Sequence, residues 1–416
     1  MVSKRKKSNE RRVVVTGLGV VSSIGIGWQE FWKNLIAGKS GISKIESFDT
    51  SEYDRHYGGE VKNFDPSKFI DRRKIPYLGR TSQFAIAASK MALEDAGLEI
   101  SDIPSNRMGV CVGTTMGEPQ IMESIDKRVF AAGNKYQVDP LSAFSYSAGT
   151  ISGNLAFEFE LKGKNIVFST ACASGNYSIC YACDLIKSGK ADCMLAGGGD
   201  ALSRIAFTGF SRLYAMAPEK CQPFDKNRKG MMVGEGAGAV ILEPLDVAVR
   251  RKANIYAEIM GYGLSCDAHH MTNPSPGGIQ LAIQRSLEDS GIKPKQVDYI
   301  NAHGTGTIEN DKAECAVLKN VFGDALRIIP VSSIKSMIGH TLGGASAIEA
   351  ITCCLVLNKS KIPPTINLEE QDPDCNIFCV PNKMKIQKVN ISLNNSSAFG
   401  GNNGSLILKN LKDIVE

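Results

Sequence analysis

The sequence lacks the features that mark membrane and secreted proteins. It has no run of 18 or more apolar residues, so we expect no membrane-spanning helix. The basic start, residues 1–12, is followed by an apolar stretch over residues 13–27, but glycines interrupt it and no small-x-small cleavage site follows. The twelve cysteines form no dense disulfide framework. This fits a reducing compartment, and we expect a cytoplasmic protein.

The body of the chain has no excess of charge of either sign. The whole chain carries a net charge of +5, and residues 1–12 alone hold six basic residues against one acidic residue. The remainder is therefore neutral, which argues against binding of nucleic acid. We expect residues 1–11 to form a basic disordered leader and residues 412–416 to form a short tail.

Metal and cofactor motifs are also scarce. Cys180 and Cys183 match a C-x-x-C pattern, but they lie in a helical pattern and no second pair follows at zinc-finger spacing. The glycine-rich segments lack the spacing of a phosphate-binding loop or a dinucleotide-binding motif. We therefore expect neither a metal ion nor a cofactor.

What the chain does contain is a regular alternation of apolar strands and helical patterns. The same strand-then-helix order occurs in the first and the second half, which indicates an α/β protein with largely parallel sheets. A length of 416 residues exceeds that of one ordinary core. We interpret this order as two related halves, residues 12–250 and residues 251–411, that pack together.

The segment around Cys172 has the pattern of a sharp turn from a strand into a helix. Residues 165–169 are strand-like, residues 182–188 are helical, and small residues connect them. A helix N-terminus lowers the pKa of a thiol, because the helix dipole and unpaired backbone N–H groups stabilise the thiolate. Cys172 is therefore a candidate nucleophile. A purely structural role stays open on this pattern alone, because free cysteines are often buried.

Two of the five histidines follow predicted strands. His303 comes directly after a strand over residues 297–302, and His340 lies in a glycine-rich turn after a strand over residues 328–332. A histidine alone is more often structural or exposed than catalytic, because proteins carry several and use few in catalysis. Together with a thiolate, two imidazoles suit thioester chemistry, because they can bind a carbonyl oxygen that becomes negatively charged. No aspartate completes a triad, so a hydrolase is less favoured.

Four ordered motifs resemble those of the β-ketoacyl-acyl carrier protein synthases, the condensing enzymes of fatty acid and polyketide synthesis. The resemblance extends from Val13 to about Leu408 and is greatest to the elongating bacterial type, which has one cysteine and two histidines. It implies a thiolase-like fold, with two duplicated βαβ-rich halves in a layered α/β/α/β/α architecture, and a homodimer. The motifs are Thr170-Ala171-Cys172-Ala173-Ser174-Gly175, Ala302-His303-Gly304-Thr305-Gly306-Thr307, Lys335-Ser336-Met337-Ile338-Gly339-His340 and Phe399-Gly400-Gly401.

The resemblance implies a role for each residue of the site. Cys172 would accept an acyl chain from acyl carrier protein, while His303 and His340 would bind a malonyl thioester, promote loss of CO2 and stabilise the enolate. The enolate would attack the acyl group on Cys172 and give a 3-oxoacyl product two carbons longer. The backbone N–H groups of Cys172 and Phe399 would form the oxyanion hole, and Gly400 would lie beside them in a gate loop.

Further positions are assigned by the same resemblance. Lys335 and Glu349 match a charged pair that supports the histidines, although helix geometry alone places Glu349 and His340 on opposite faces. The positions expected to contact substrate are Met116, Thr272, Thr305 and Thr307. Acyl carrier proteins are acidic, so basic surface should dock them. The basic candidates are Arg72, Arg73, Lys74, Lys127 and Arg128.

The motif near the C-terminus departs from the family pattern. Ser397 and Ala398 stand where the family has Phe and Gly, whereas Phe399 keeps the gate position. The loss of a glycine stiffens the loop and the loss of an aromatic ring alters the acyl pocket, so the preferred chain length stays open. The alternatives are a non-catalytic partner subunit, a specialised polyketide-type synthase and a thiolase that acts on acyl-CoA.

Overall fold

The computed structural model describes residues 11–133 and 138–411. The predicted tail and, apart from Arg11, the predicted leader lie outside these residues and stay predictions. Arg11 forms an ion pair with Asp192, with 3.1 Å between Nη1 and Oδ1. The described chain therefore contacts the body of the protein from its first residue.

Strands and helices alternate along most of the described chain. The strands are β1 (Val13–Ser22), β2 (Gly25–Ile26), β3 (Ser43–Lys44), β4 (Tyr57–Gly58), β5 (Met108–Gly113), β6 (Asn165–Phe168), β7 (Cys193–Asp200), β8 (Gly236–Pro244), β9 (Ala257–Cys266), β10 (Tyr299–Asn301), β11 (Val331–Ser332), β12 (Lys361–Ile362), β13 (Lys385–Ile386), β14 (Ile391–Ser397) and β15 (Asn402–Lys409). The helices are α1 (Trp28–Ile36), α2 (Arg80–Ala96), α3 (Pro119–Ala131), α4 (Pro140–Ser145), α5 (Gly149–Glu158), α6 (Ser174–Lys187), α7 (Arg204–Arg212), α8 (Leu245–Arg250), α9 (Pro276–Ser290), α10 (Ile308–Phe322), α11 (Lys335–Ile338) and α12 (Ala345–Lys359).

Ten of the described strands form two copies of one five-stranded arrangement. The strand order is β6-β5-β7-β8-β1 in the first copy and β11-β10-β14-β15-β9 in the second. When the five strands of each copy are numbered in chain order, both copies have the same spatial order, 3-2-4-5-1. In each copy the fifth strand, β8 or β15, runs antiparallel to both neighbours, and the other four strands share one direction. This shared order confirms the two duplicated halves predicted from the sequence.

The two halves meet along β1 and β9. These strands pair antiparallel through Val14 with Glu258 and Val15 with Ala257, so the two five-stranded arrangements are continuous. The boundary between residues 250 and 251 stays a prediction.

Helices α6 and α12 form the layer between the two arrangements of strands. Helix α6 packs against β5 and β7 of the first half and against β15 of the second, while α12 packs against β8 and β14. Helices α2 and α5 cover the other side of the first half, and α9 covers the other side of the second. The result is the five-layer α/β/α/β/α architecture.

The central position of α12 explains its composition. Every residue from Ala345 to Leu357 is buried. The stretch Leu342–Lys359 has the length and hydropathy of a membrane span, but 89% of it is buried inside the structure. Its apolar character therefore reflects packing between two layers of strands.

The end of β14 differs from the sequence-based expectation. The pattern predicts a strand over residues 389–393, whereas β14 continues to Ser397 and pairs with β15 along its whole length, with Ser397 opposite Asn403. Ser397 is thus held by the sheet, and the turn of Ala398 to Gly401 begins only after it.

Candidate active site

Cys172 lies in the sharp turn that its neighbours predicted. Strand β6 ends at Phe168, Ala171 adopts a left-handed backbone with φ 50°, and α6 begins at Ser174. The Ser174 hydroxyl donates to the Ala171 carbonyl (2.7 Å) and accepts from the Thr170 N–H (2.9 Å). These bonds hold the turn closed and place the thiol directly before the first turn of α6.

The small residues of this turn are required by the contact between α6 and α12. A Cβ atom on Gly175 would lie 2.5 Å from the backbone nitrogen of Ala347. Glycine at this position therefore lets the two central helices approach closely.

His303 is fixed by a carboxylate that the sequence analysis did not single out. Both oxygens of the buried Glu314, on α10, accept backbone N–H groups, from His303 and Gly304, each at 2.8 Å. Glu314 also accepts from the Asn395 side-chain amide on β14 at 2.7 Å. The only signal for it was an acidic residue within the buried face of a predicted helix.

His340 is fixed by one hydrogen bond from its backbone and one to its ring. The backbone N–H of His340 donates to the Met232 carbonyl oxygen (2.7 Å), and the ring Nδ1 accepts a hydrogen bond from the backbone N–H of Leu342 (3.1 Å). Leu342 has φ 52°, a left-handed conformation in the turn before α12. Because Nδ1 accepts a hydrogen bond, the neutral ring carries its proton on Nε2, which is therefore a donor.

Lys335 and Glu349 form a buried pair next to His303. The Lys335 ammonium donates to the His303 carbonyl oxygen (2.7 Å), to Glu349 and to His303 Nδ1 (3.3 Å). An ammonium can only donate, so His303 also carries its proton on Nε2. Burial raises the pKa of Glu349 to about 7, opposed by the charge and the hydrogen bond of Lys335. The predicted pair therefore contacts His303, while Glu349 reaches the site through Lys335.

The structure brings together the three predicted catalytic side chains. One nitrogen of each histidine and the Cys172 Sγ all lie within 4.8 Å of one another. The two imidazole rings are 5.4 Å apart and nearly perpendicular, at 81°. Burial, and then the charge of Lys335, hold the pKa values of His303 and His340 well below 6.5, so both rings are neutral near pH 7.

The thiol of Cys172 is not acidic in the resting protein. Burial raises its pKa to about 12, against the effects of the Lys335 charge and of the backbone N–H groups of Phe399 and Cys172 itself, which lower it. The expectation of a lowered pKa at a helix N-terminus is therefore wrong for the resting thiol, because desolvation outweighs the stabilising groups.

The same three residues do not suit a metal ion. A cysteine and two histidines are ordinary zinc ligands. In this site, however, both Nδ1 atoms already accept hydrogen bonds, from Lys335 and from the Leu342 backbone. The Nε2 atoms therefore carry protons and have no lone pair to offer a metal. The two N–H groups instead suit a partially negative oxygen.

A cavity of about 500 Å³ leads from these side chains to the surface. Three of the predicted substrate contacts line it, Thr272, Thr305 and Thr307, and the last two share a hydrogen bond of 2.8 Å. Met116 does not line it. The backbone N–H of Met116 instead donates to Asp200 at 3.2 Å, so the structure does not bring Met116 into this cavity.

The predicted gate residue lies at the inner end of the cavity. Phe399 lines it, and its ring packs 5.8 Å from that of Phe210. Gly400 follows in a left-handed turn, φ 83°, and donates its N–H to the Met271 carbonyl at 2.9 Å. Ala398 is not among the residues with positive φ, so alanine at this position carries no backbone strain.

A second buried carboxylate links the two halves behind Cys172. Asp200, at the end of β7, accepts from the Thr114 hydroxyl (2.7 Å), the Thr115 N–H (2.8 Å) and the Gly343 N–H (2.6 Å). Gly343 belongs to the turn between His340 and α12. Asp200 was not predicted, because its only signal in the sequence is an acid at the end of an apolar strand.

The predicted docking residues lie outside the cavity lining. Arg73 is paired with Asp71 at 2.6 Å, and Lys74 with Glu158 at 2.7 Å. Arg72, Lys127 and Arg128 are exposed.

Comparisons with known proteins agree with this geometry. The family model for the Beta-ketoacyl synthase, N-terminal domain, matches residues 10–248, and that for the C-terminal domain matches residues 256–369. The 3-oxoacyl-[acyl-carrier-protein] synthase 2 of Coxiella burnetii is 40% identical over 414 residues, which cover 97% of this chain and 100% of that protein.

Two solved structures share the fold over nearly the whole chain. The ishigamide ketosynthase/chain length factor matches with a TM-score of 0.94 and 44% identity, covering 96% of this chain and 99% of that one. The ketosynthase of a type II polyketide synthase, in complex with its acyl carrier protein, matches with a TM-score of 0.88 and 34% identity. This match also covers 96% of this chain and 99% of that one. With its duplicated halves and its Cys-His-His site, the chain belongs to the β-ketoacyl synthase family of thiolase-like condensing enzymes.

Proposed function

We propose that the protein is a 3-oxoacyl-acyl carrier protein synthase that elongates fatty acids. It joins an acyl group on Cys172 to the two carbons that remain when malonyl-acyl carrier protein loses CO2. The observation that carries this proposal is the meeting of one thiol and two neutral imidazoles within 4.8 Å at the end of one cavity. The relatives named 3-oxoacyl-[acyl-carrier-protein] synthase 2, which match nearly full length, support the same reaction.

The first step loads the enzyme. The Cys172 sulfur attacks the thioester carbonyl of acyl-acyl carrier protein, the new C–S bond forms, and the carrier's C–S bond breaks. The proton of the Cys172 thiol ends on the carrier's thiol. The backbone N–H groups of Cys172 and Phe399, which both act on the Cys172 sulfur, form an oxyanion hole for the carbonyl oxygen during this exchange.

The second step forms the carbon nucleophile. The Nε2–H groups of His303 and His340 donate to the thioester carbonyl oxygen of the malonyl group. The bond between the α-carbon and the carboxylate breaks, and CO2 leaves. The electron pair of that bond stays on the α-carbon and forms an enolate, whose negative charge lies on the thioester oxygen. Two neutral donors in a buried site stabilise the negative charge without giving up their own protons.

The third step makes the new bond. The enolate carbon attacks the acyl carbonyl on Cys172, the C–S bond to Cys172 breaks, and the 3-oxoacyl group stays on the carrier. The leaving thiolate takes up a proton and restores the resting thiol. Lys335 holds His303 in place throughout and keeps its proton on Nε2, so Lys335 is a positioning residue, and Glu349 acts through it.

We propose acyl carrier protein as the partner, in its acyl-loaded and malonyl-loaded forms. The solved complex of a related ketosynthase with its carrier supports this assignment. Arg72 and Lys127 are the best docking candidates, because Arg73 and Lys74 are already paired with acidic residues. Alanine at both positions should weaken carrier binding and reduce its dependence on salt. Unchanged affinity and salt dependence would remove this surface as the docking site.

We propose a homodimer that works in the cytoplasm. In the described part of the chain, β6 pairs with β5 alone, so its other edge offers unpaired backbone groups to a second copy. Phe130 and Phe157, which are 81% and 76% exposed, add apolar surface. All twelve cysteines are free thiols, as a reducing compartment requires. Sedimentation at twice the monomer mass and recovery in the cytosolic fraction are the expected results.

The alternatives are less well supported. A non-catalytic partner subunit needs no nucleophile, yet the thiol and both imidazoles meet at the cavity. Two solved ketosynthases, one of which belongs to a type II polyketide synthase, match nearly full length, but so do the curated relatives, which are named 3-oxoacyl-[acyl-carrier-protein] synthase 2 and favour the elongating type. A thiolase would accept acyl-CoA in place of the carrier-bound substrates.

Product analysis tests the proposal. The protein is mixed with acyl- and malonyl-acyl carrier protein, and the carrier is analysed by mass spectrometry. We expect a 3-oxoacyl carrier two carbons longer from the wild type and from Cys111→Ala, a buried cysteine away from the cavity. We expect none from Cys172→Ala. Product from CoA thioesters alone, or equal product from Cys172→Ala, would overturn the proposal.

A further inference from the structure

Ser397 carries a buried hydroxyl that no group in the structure satisfies. The residue is 3% exposed, and its Oγ has no hydrogen-bond partner among the described residues. A buried hydroxyl without a partner destabilises the folded protein by about 1–3 kcal/mol. Such a group therefore points to a ligand or a water molecule that completes its hydrogen bonding.

The position of Ser397 places that missing partner in the active site. Ser397 lines the same cavity as Cys172, His303 and His340. It is the last residue of β14, which packs directly against the turn that holds Cys172. A serine hydroxyl changes direction by rotation about χ1 alone, so it can turn toward the cavity while the strand stays in place.

Lys229 also lines the cavity but is exposed, whereas the buried lining groups that could bind an anion are mostly engaged. Arg228 is buried and contacts Asp372 at 2.5 Å, along with three backbone carbonyl oxygens. The hydroxyls of Thr305 and Thr307 share one hydrogen bond, which uses the O–H group of one of them. The two imidazole N–H groups are committed to the thioester oxygen in the proposed reaction. The Ser397 hydroxyl is thus a buried lining donor that has no partner among the described residues and that the reaction leaves unused.

We propose that the Ser397 hydroxyl donates a hydrogen bond to the carboxylate of the malonyl group, an inference that rests on the proposed function. With the thioester oxygen held by the imidazoles, this bond fixes the other end of the extender unit. It orients the carbon–carbon bond that breaks when CO2 leaves. Ser397 is then a specificity-determining residue for a carboxylated extender.

The stage of the reaction at which Ser397 binds the carboxylate determines whether the residue affects KM or kcat. The hydrogen bond forms to the carboxylate in the ground state and weakens as that group becomes neutral CO2. An interaction made mainly in the ground state lowers KM and does not raise kcat. Its loss should therefore raise KM for malonyl-acyl carrier protein about tenfold or more and leave kcat equal or higher.

The test compares Ser397→Ala with Ser397→Thr, which keeps a hydroxyl, and with Ser392→Ala. Ser392 is a buried serine on the same strand that does not line the cavity. KM and kcat are measured separately for malonyl- and acyl-acyl carrier protein, and loading of Cys172 is followed by intact mass. We expect KM for the malonyl substrate to rise in Ser397→Ala alone, with recovery in Ser397→Thr and unchanged loading.

The outcomes separate this inference from the proposed function. A malonyl KM within about twofold of the wild type in Ser397→Ala would overturn the inference, as would a rise in the KM of the acyl substrate instead. An equal rise in Ser392→Ala would also overturn it, because the effect would then come from the strand and not from the cavity. A wild-type protein that loads no acyl group at all would overturn the proposed function itself.

Discussion

Lys335 Nζ lies 3.3 Å from His303 Nδ1, and the same ammonium donates to the His303 carbonyl oxygen at 2.7 Å. One buried cation thus fixes both the ring and the backbone of one histidine. Because the ammonium occupies Nδ1, the proton of the ring points from Nε2 toward the cavity. The backbone N–H of Leu342 does the same for His340. Two neutral donors aimed at one point are what an enolate oxygen requires.

The pairing of Lys335 with Glu349 leads to a stability prediction. Lys335→Met should lower the free energy of unfolding by about 3–5 kcal/mol, because it leaves a buried carboxylate without its partner. The double variant Lys335→Met/Glu349→Met should be destabilised less than either single variant. Urea unfolding of the three variants measures this, with Lys312→Met, part of an exposed pair with Asp374, as the control. A double variant less stable than both single variants would contradict the account.

The hydrogen bonds that Glu314 accepts from the backbone of His303 and Gly304 lead to a second prediction. Glu314→Gln replaces one carboxylate oxygen by an NH2 group, which then faces the backbone N–H donor of either His303 or Gly304. We expect kcat/KM to fall about tenfold or more and the free energy of unfolding to fall by about 1–3 kcal/mol. Steady-state kinetics and urea unfolding measure both. Asp324→Asn, at an exposed position after the same helix, should behave like the wild type. Wild-type kinetics in Glu314→Gln would show that catalysis does not need these hydrogen bonds to Glu314.

The lowered pKa values of His303 and His340 predict how the reaction depends on pH. Both rings stay neutral well below pH 6.5, so single-turnover decarboxylation should be nearly constant from about pH 8 to about pH 6. A loss of half the rate near pH 6.5 would show instead that a histidine with an ordinary pKa controls the step.

The same pKa values predict the effect of pH on stability. The unfolded histidines take up protons near pH 6.5, whereas the folded ones do so only at lower pH. The protein therefore takes up protons when it unfolds, and the folded state loses stability as the pH falls below about 6.5. Urea midpoints measured across this range should decrease for the wild type and decrease less for His340→Gln.

The raised pKa of Cys172 predicts its reactivity toward alkylating agents. With a pKa of about 12, the thiolate fraction grows about tenfold for each pH unit through the range in which the protein is handled. Alkylation of Cys172 by iodoacetamide, followed by peptide mass spectrometry, should rise by that factor without levelling off up to about pH 9. A plateau near neutral pH would mean that the helix N-terminus and Lys335 outweigh burial after all.

Much of the fold was predictable, because its signals are local. The spacing of Phe84, Ala88, Met91 and Leu93 predicts a helix over Arg80–Ala96 that stops at Gly97. Helix α2 spans these residues, and Gly97 has φ 56° as a left-handed cap requires. The alternation of strands and helices indicated two halves. The strand order within each half was not predictable, since it depends on which strands pair across the chain.

The site was predictable only in part, and the failures have physical causes. The 100° spacing of a helix does not apply to Glu349 and His340, because no continuous helix joins them: α11 ends at Ile338, Gly339 has φ 72°, and α12 begins at Ala345. Glu314 and Asp200 were missed because their role depends on backbone N–H groups that only the folded chain brings to them. Burial of the Cys172 thiol, which reverses its expected pKa shift, is likewise a property of the packed layers.

Intact-mass spectrometry of the protein mixed with acyl-acyl carrier protein tests the central claim most directly. The wild type and Cys111→Ala should each gain the mass of one acyl group, and Cys172→Ala should gain none. Carriers loaded with several chain lengths would report the preferred length in the same experiment. An acyl adduct on Cys172→Ala, or no adduct with any chain on the folded and reduced wild type, would contradict the assignment of Cys172 as the nucleophile.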